Sequence, residues 1–146
     1  MKTPNDTTTF KYYNANPKNK RTTDCVIRAI CVALDQSYEQ TVRELTEFWL
    51  KTGYDMSDVM CYGKYLESKG WTKHKQPRKY DNTKYTGKEF CKSLNGDILA
   101  VGKKIVANIG GGHVVCIMET EGMRGTFKVF DTWDSTEGCI GNYWTK

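Results

Sequence analysis

The hydrophobic pattern divides the chain into a polar arm and an apolar region that begins near Cys25. Residues 1–22 are mostly polar and show no sustained period, which predicts an extended N-terminal arm. Positions 26–34 are apolar at every residue but one, and Thr23 and Asp24 are both residue types that cap helices. A first helix is therefore expected from Thr23 or Asp24 to about Leu34. Because it is apolar on most sides, we expect it to be central, with Cys25 at its start.

Amphipathic helical periods continue through the first two thirds of the chain. A second helix is expected after the cap Ser37, and a third after Ser57, closed by Gly70. Trp71 is expected to begin a short strand, and residues 86–94 to form a fourth helix. The predicted apolar stripe of the second helix consists of Val42, Leu45, Phe48 and Trp49.

The last third of the chain has the short apolar runs and glycine-bearing turns that are typical of β-structure. Strands are predicted over residues 98–101, 104–109, 113–118, 126–130 and 140–144. Helices followed by strands define an α+β fold, in which N-terminal helices pack on a C-terminal antiparallel sheet. The length suits one domain spanning residues 1–146.

Composition narrows the class of protein. The six cysteines include Cys31 and Cys116 inside apolar segments, which favours free thiols in a reducing compartment over disulfides. The two histidines lie far apart and no Cys-x-x-Cys pair occurs, so neither a metal nor another cofactor is expected. The first residues lack the apolar stretch of a secretory signal and no run is long enough to cross a membrane, so we expect a cytoplasmic protein.

The formal net charge is +5, and much of the basic character falls in residues 18–21 and 73–80. Basic residues interleaved with tyrosine can bind nucleic acid, but no recognition motif accompanies them, so a solvated basic loop is favoured. In the second stretch Lys73, Arg78 and Lys79 are the candidate contacts for an anionic ligand.

Three residues in this pattern could form a nucleophilic triad. Cys25 opens a helix, His113 opens a strand after three glycines, and Asp131 ends another strand. A hairpin centred on Gly122 would place residues 113 and 131 directly opposite each other, with Cβ atoms about 4.5–5.5 Å apart. The alternative orienting carboxylate is Asp134, which is better suited to shaping a turn.

The surroundings of Cys25 bear on its reactivity. The helix N-terminus and a nearby imidazolium favour the thiolate, Asp24 opposes it, and Arg28 one turn later offers a compensating positive charge. Candidate oxyanion donors are the Cys25 backbone N–H and the Asn19 side chain. The glycine at 112 would let a substrate backbone approach the histidine.

These residues resemble the papain-like cysteine peptidase superfamily. The order Cys, His, Asp is shared, Asn19 stands six residues before Cys25 where these enzymes usually carry glutamine, and Asp131-Thr132-Trp133 is similar to their Asn-Ser-Trp segment. The resemblance implies that Trp133 shields the bond between orienter and histidine from water. The chain departs from papain itself in lacking its Cys-Gly-Ser-Cys-Trp signature.

The chain also has three narrower resemblances. The Asp-Cys-x-x-Arg-Ala segment at residues 24–29 is similar to ovarian-tumour-type deubiquitinases, and the compact size resembles bacteriocin-processing peptidase domains. Residues 19–144 resemble a group of small proteins of bacteriophages and their Gram-positive hosts.

The resulting expectation is a peptidase or isopeptidase that acts on a peptide or a protein, a host protein being one option, without a cofactor. The alternative is a phage-encoded binding protein or host-defence antagonist that holds a host protein or a nucleotide-like ligand without catalysis. A nucleic-acid-binding module ranks third, and a membrane partner is not expected.

Overall fold

The computed structural model describes residues 2–146 and has an α+β architecture. Its four helices are α1 (Cys25–Ala33), α2 (Tyr38–Thr52), α3 (Val59–Ser68) and α4 (Gly87–Leu94). Its six strands are β1 (Phe10–Tyr12), β2 (Thr72–His74), β3 (Ile105–Ile109), β4 (His113–Thr120), β5 (Met123–Asp131) and β6 (Ile140–Thr145).

The helix ends follow the expected local chemistry, with one exception. Ser37 caps α2 and Gly53 ends it with φ of 80°, while α3 is capped by Asp58 rather than Ser57. Thr86 and Glu89 form a capping box at the start of α4. Asp24 precedes α1, but its side chain caps no backbone N–H because both of its oxygens bind other side chains.

All six strands belong to one sheet, in the order β1-β5-β4-β3-β6-β2. The sheet is mixed, which corrects the expectation of an antiparallel one, because β1 of the N-terminal arm runs parallel to β5. Phe10 is fully buried there, and the carbonyl of Asp131 accepts a hydrogen bond from the Tyr13 N–H. The arm therefore fixes the backbone of the strand end that carries Asp131.

The two faces of the sheet carry separate hydrophobic cores. On one face α1, α2 and α3 pack against a cluster that includes Val106, Val114 and Trp144. On the other face α4 covers alternate residues of the same strands, among them Ile109 and Val115. The alternation explains why both faces of the predicted strands looked apolar.

Three large apolar residues lie outside these cores. Residues 98–101 form turns rather than the expected strand, and Ile98 and Leu99 are exposed. Trp49, which was expected in the apolar stripe of α2, is also largely exposed. Among the described residues no helix is long and apolar enough to cross a membrane.

Candidate active site

Cys25 is the first residue of α1, which packs against β4. Its side chain is half-buried, so a reagent can still reach the thiol. Its backbone N–H belongs to the first helical turn, where no carbonyl of the preceding turn accepts a hydrogen bond. The helix start therefore offers both a thiol and an unengaged N–H at one place.

His113 and Asp131 are in direct contact. The distance from His113 Nε2 to Asp131 Oδ2 is 2.5 Å, and Asp131 is almost completely buried. Since Nε2 is engaged by the carboxylate, Nδ1 is the ring nitrogen left for a hydrogen bond with Cys25. The structure thus brings Cys25, His113 and Asp131 together in the order that a triad requires.

The strand register differs from the prediction by two residues. β4 and β5 pair Cys116 with Phe130, so by continuation Asp131 lies opposite Val115 rather than His113. The reason is a bulge near the turn, where the ladder passes from Glu119–Phe127 to Thr120–Met123. An even shift preserves the face, and the diagonal neighbours remain within reach of a histidine and a carboxylate.

The Cys25 thiol and the His113 imidazole shift each other toward the charged pair. Burial by itself raises the pKa of Cys25, but hydrogen bonds from His113 and the Val114 backbone bring that pKa below its usual value. Burial by itself lowers the pKa of His113, yet Asp131 and Cys25 raise it to about 9. At neutral pH the imidazole is therefore protonated, and the thiolate is favoured beside it.

The pKa values of the other buried thiols are raised rather than lowered. Burial raises the pKa of Cys31 to about 11, and the pKa values of Cys91 and Cys116 to about 12. All six cysteines are unpaired, and Cys139 is the exposed one. Cys25 is the one half-buried thiol with a histidine against it.

Arg28 joins the triad to a second buried carboxylate. Its Nη1 donates to Asp131 Oδ1 and its Nε to Asp24 Oδ1, both at 2.7 Å, and all three side chains are buried. Asp24 also accepts hydrogen bonds from Asn16 and Tyr38. Burial by itself raises the pKa of Asp24, but these hydrogen bonds lower it overall.

The charged groups of the site therefore alternate in sign along a chain, here called the ion-pair chain. Its members are, in order, Asp24, Arg28, Asp131, His113 and Cys25. The sequence suggested Arg28 as a compensating positive charge one turn after Cys25, but not its contact with Asp131. It also gave no sign of Asn16 and Tyr38, which hold Asp24 from the arm and from α2. Neither residue stands at a characteristic spacing from Asp24 or Cys25 that would have identified it from the sequence.

Cys25 and His113 open onto a cleft of about 530 Å³, a size suited to a ligand. Trp133 forms part of its rim, with its ring centroid 4.8 Å from that of His113 and half of its surface exposed. The remaining residues that line the cleft are Arg21, Thr22, Thr23, Arg28, Ser57, Gly112 and Thr132.

Two sequence candidates lie apart from this arrangement. Asn19 does not line the cleft; it has φ of 54°, ends a turn closed by a hydrogen bond to Asn16, and its side-chain oxygen accepts from Asn14. The geometry gives no support to Asn19 as an oxyanion donor. Asp134 accepts two hydrogen bonds from Thr136 and so shapes a turn, while Asp131 contacts the histidine.

The basic stretch does not assemble an anion site. Lys73 lies on β2, the Arg78 guanidinium donates to the Asn82 carbonyl, and Lys79 forms an ion pair with Glu89. None of the three basic residues lines the cleft. Within residues 2–146, no group of three or more His, Cys, Asp and Glu side chains is arranged to hold a metal ion.

Comparisons with protein-family models, with curated proteins and with solved structures found no match to this chain.

Proposed function

We propose that this chain is a papain-like cysteine hydrolase that cleaves a peptide or isopeptide bond through a thioacyl intermediate on Cys25. The observation that carries the proposal is the contact of the buried Asp131 with His113, whose imidazole lines the same cleft as the Cys25 thiol at the start of α1 and lowers the pKa of that thiol. A helix-borne cysteine set against a strand-borne histidine and aspartate also supports the papain-like assignment of the fold.

The proposed reaction begins with the Cys25 thiolate. Its sulfur attacks the carbonyl carbon of the scissile bond, and the Cys25 N–H stabilises the oxyanion that forms. The His113 imidazolium then gives its proton to the leaving amine as the carbon–nitrogen bond breaks. A water molecule, deprotonated by His113, attacks the thioester and releases a carboxylic acid and the thiolate.

Asp131 holds the imidazole through Nε2 and stabilises its charged form throughout these steps. Arg28 is a positioning residue in this scheme, because it contacts the orienting carboxylate rather than the reacting atoms. The half-exposed indole of Trp133 lies over the imidazole and limits the access of water to it.

The proposal is tested by hydrolysis in ¹⁸O-labelled water. The protein is incubated with a diverse peptide library, and the products are identified by mass spectrometry. Each new carboxyl terminus is expected to carry one ¹⁸O atom from the water that opens the thioester, and an adduct on Cys25 should be removed by hydroxylamine. A library recovered without cleavage, from a protein whose fold is verified, would favour the binding-protein alternative.

Gly112 provides a steric test of the cleft. A Cβ built there meets no atom within 4 Å, and the residue lines the cleft beside His113. The substitution Gly112→Leu is expected to change the free energy of unfolding by less than about 0.5 kcal/mol, yet to raise the KM for peptides about tenfold or more. Alkylation of Cys25 by iodoacetamide should be unchanged, because that reagent is small. Equal KM values for the variant and the wild type would contradict this role of the cleft.

A further inference from the structure

A second cavity, here called the α3 pocket, lies on the same face of the sheet as α1. It has a volume of about 290 Å³, and Tyr62 of α3, Asn108 of β3 and Trp144 of β6 are among its walls. Two further lining residues, Gln76 and Asn142, bring carboxamide side chains to it. The catalytic scheme above does not use any of these five residues.

Chain connectivity places the α3 pocket beside the cleft. Val59 lines the pocket, and Ser57, two positions earlier, lines the cleft. Asn108 is the direct strand partner of Val114, which follows His113 on β4. A substrate bound at Cys25 therefore has a side-chain pocket within reach.

An electrostatic effect agrees with this placement. Burial is the main reason that the pKa of Tyr62 is raised; a hydrogen bond from Asn108 lowers it, and the charge of Cys25 raises it again. The influence of the Cys25 charge on the pKa of Tyr62 is consistent with a pocket beside the cleft.

The pocket presents both hydrogen-bond donors and acceptors but no charged side chain. Gln76 Nε2 donates to the Ile140 carbonyl, which leaves its Oε1 as an acceptor. Asn142 makes no side-chain hydrogen bond within residues 2–146, so its amide can both donate and accept. At the wall the Trp144 Nε1–H is buried and has no partner among those residues.

We propose that the α3 pocket binds a primary carboxamide, the side chain of a glutamine or asparagine near the scissile bond; this inference rests on the proposed function. A carboxamide supplies one acceptor oxygen and two donor hydrogens, which matches the mixed lining. A carboxylate supplies no donor and an ammonium no acceptor, and each would be buried without an opposite charge. An apolar side chain would leave the polar groups of the lining unpaired.

The first experiment detects binding without relying on catalysis. The ¹⁵N–¹H indole signals of the protein are recorded during titration with N-acetyl-glutamine methylamide, and with the glutamate and norleucine analogues as controls. The glutamine compound is expected to shift the Trp144 signal in a saturable manner at millimolar concentration, with no saturable shift from either control. Absence of a shift with the glutamine compound overturns the inference, whatever the reactivity of Cys25.

The second experiment links the pocket to the cleft. Acetylated dipeptide vinyl methyl esters carry Gln, Glu or Leu at either of the two positions before the electrophile, and the rate of Cys25 modification is measured by mass spectrometry. Of the two glutamine probes, the one that reacts faster is expected to modify Cys25 at least about tenfold faster than the Glu and Leu probes substituted at the same position. Asn142→Ala should reduce this preference about fivefold, whereas the exposed control Asn5→Ala should keep it.

Failure of the carboxamide inference can be distinguished from failure of the proposed function. If iodoacetamide modifies Cys25 rapidly but the three probes react equally, the carboxamide inference is wrong and the proposed function stands. If Cys25 is slow toward iodoacetamide, the proposed function fails, and the indole titration still decides separately whether the pocket binds a carboxamide.

Discussion

Replacing Cys25 by alanine is expected to lower the rate of peptide hydrolysis at least about a thousandfold, because no other cysteine among residues 2–146 lines the cleft. The substitution removes one sulfur from a half-buried site, so the fold should be retained. The measurement is the cleavage rate of a peptide substrate identified in the library, with circular dichroism as the check on folding.

The matched control for this prediction is Cys139→Ala. Cys139 is exposed and is not among the residues of the cleft, so its removal should leave the rate unchanged. Hydrolysis that survives in Cys25→Ala would show that Cys25 is not the nucleophile.

Replacing Arg28 by methionine is expected to lower the free energy of unfolding by about 3–5 kcal/mol, since Asp24 would lose its buried counter-charge and Asp131 would keep only that of His113. The effect is largest at neutral pH and falls as the solution is acidified, because burial alone would raise the pKa of Asp24 and the hydrogen bond from Arg28 helps to hold that pKa below its usual value. It is measured by urea denaturation at pH 7. Hydrolysis should also fall, because Asp131 loses one of the groups that hold it.

The chain offers a close control for the Arg28 prediction. Arg43 forms an ion pair with Glu39 at the same helical spacing of four residues, but both of those side chains are exposed. Arg43→Met should therefore cost no more than about 0.5 kcal/mol. Equal losses in the two variants would mean that the buried contacts of Arg28 do not stabilise the fold.

A second variant tests the cause of the Arg28 effect. In the triple substitution Arg28→Met, Asp24→Asn and Asp131→Asn, the charges are removed together, so much of the lost stability should return. No recovery would indicate that packing of the long Arg28 side chain, rather than unpaired charge, accounts for the loss.

Local sequence signals predicted much of the fold, because they act over a few residues. The cap Ser37 and the start of the fourth helix at residue 86 were expected from the sequence, because capping hydrogen bonds form within a single helical turn. The strand that contains His113 and the one that ends at Asp131 were likewise recognisable from their apolar runs and glycine turns.

The errors arose where distant parts of the chain decide the structure. Phe10 belongs to a three-residue strand whose partner lies near the other end of the sequence, so no local period could reveal the parallel pairing. Ile98 and Leu99 are as apolar as strand residues, yet they lie in exposed turns. Apolar character alone does not show whether a neighbouring element covers a segment.

In the candidate site, too, the local features were predicted from the sequence and the long-range contacts were not. Cys25, His113 and Asp131 were identifiable by residue type and position, and the hairpin face was predicted correctly although the register was shifted by two residues. The contact between Arg28 and Asp131 required the packing of α1 against the sheet, which no sequence spacing describes.

The most direct test of the central claim is the pH dependence of Cys25 alkylation. The rate with iodoacetamide is measured by mass spectrometry in the wild type and in His113→Ala, with the exposed thiol of Cys139 as the internal reference. Because His113 lowers the pKa of Cys25, wild-type Cys25 is expected to react well below the usual thiol pKa of about 8.5, and His113→Ala should move this onset to higher pH. If Cys25 reacts no faster than Cys139 at neutral pH, or if His113→Ala leaves its profile unchanged, the thiolate–imidazolium pair does not exist and the account is contradicted.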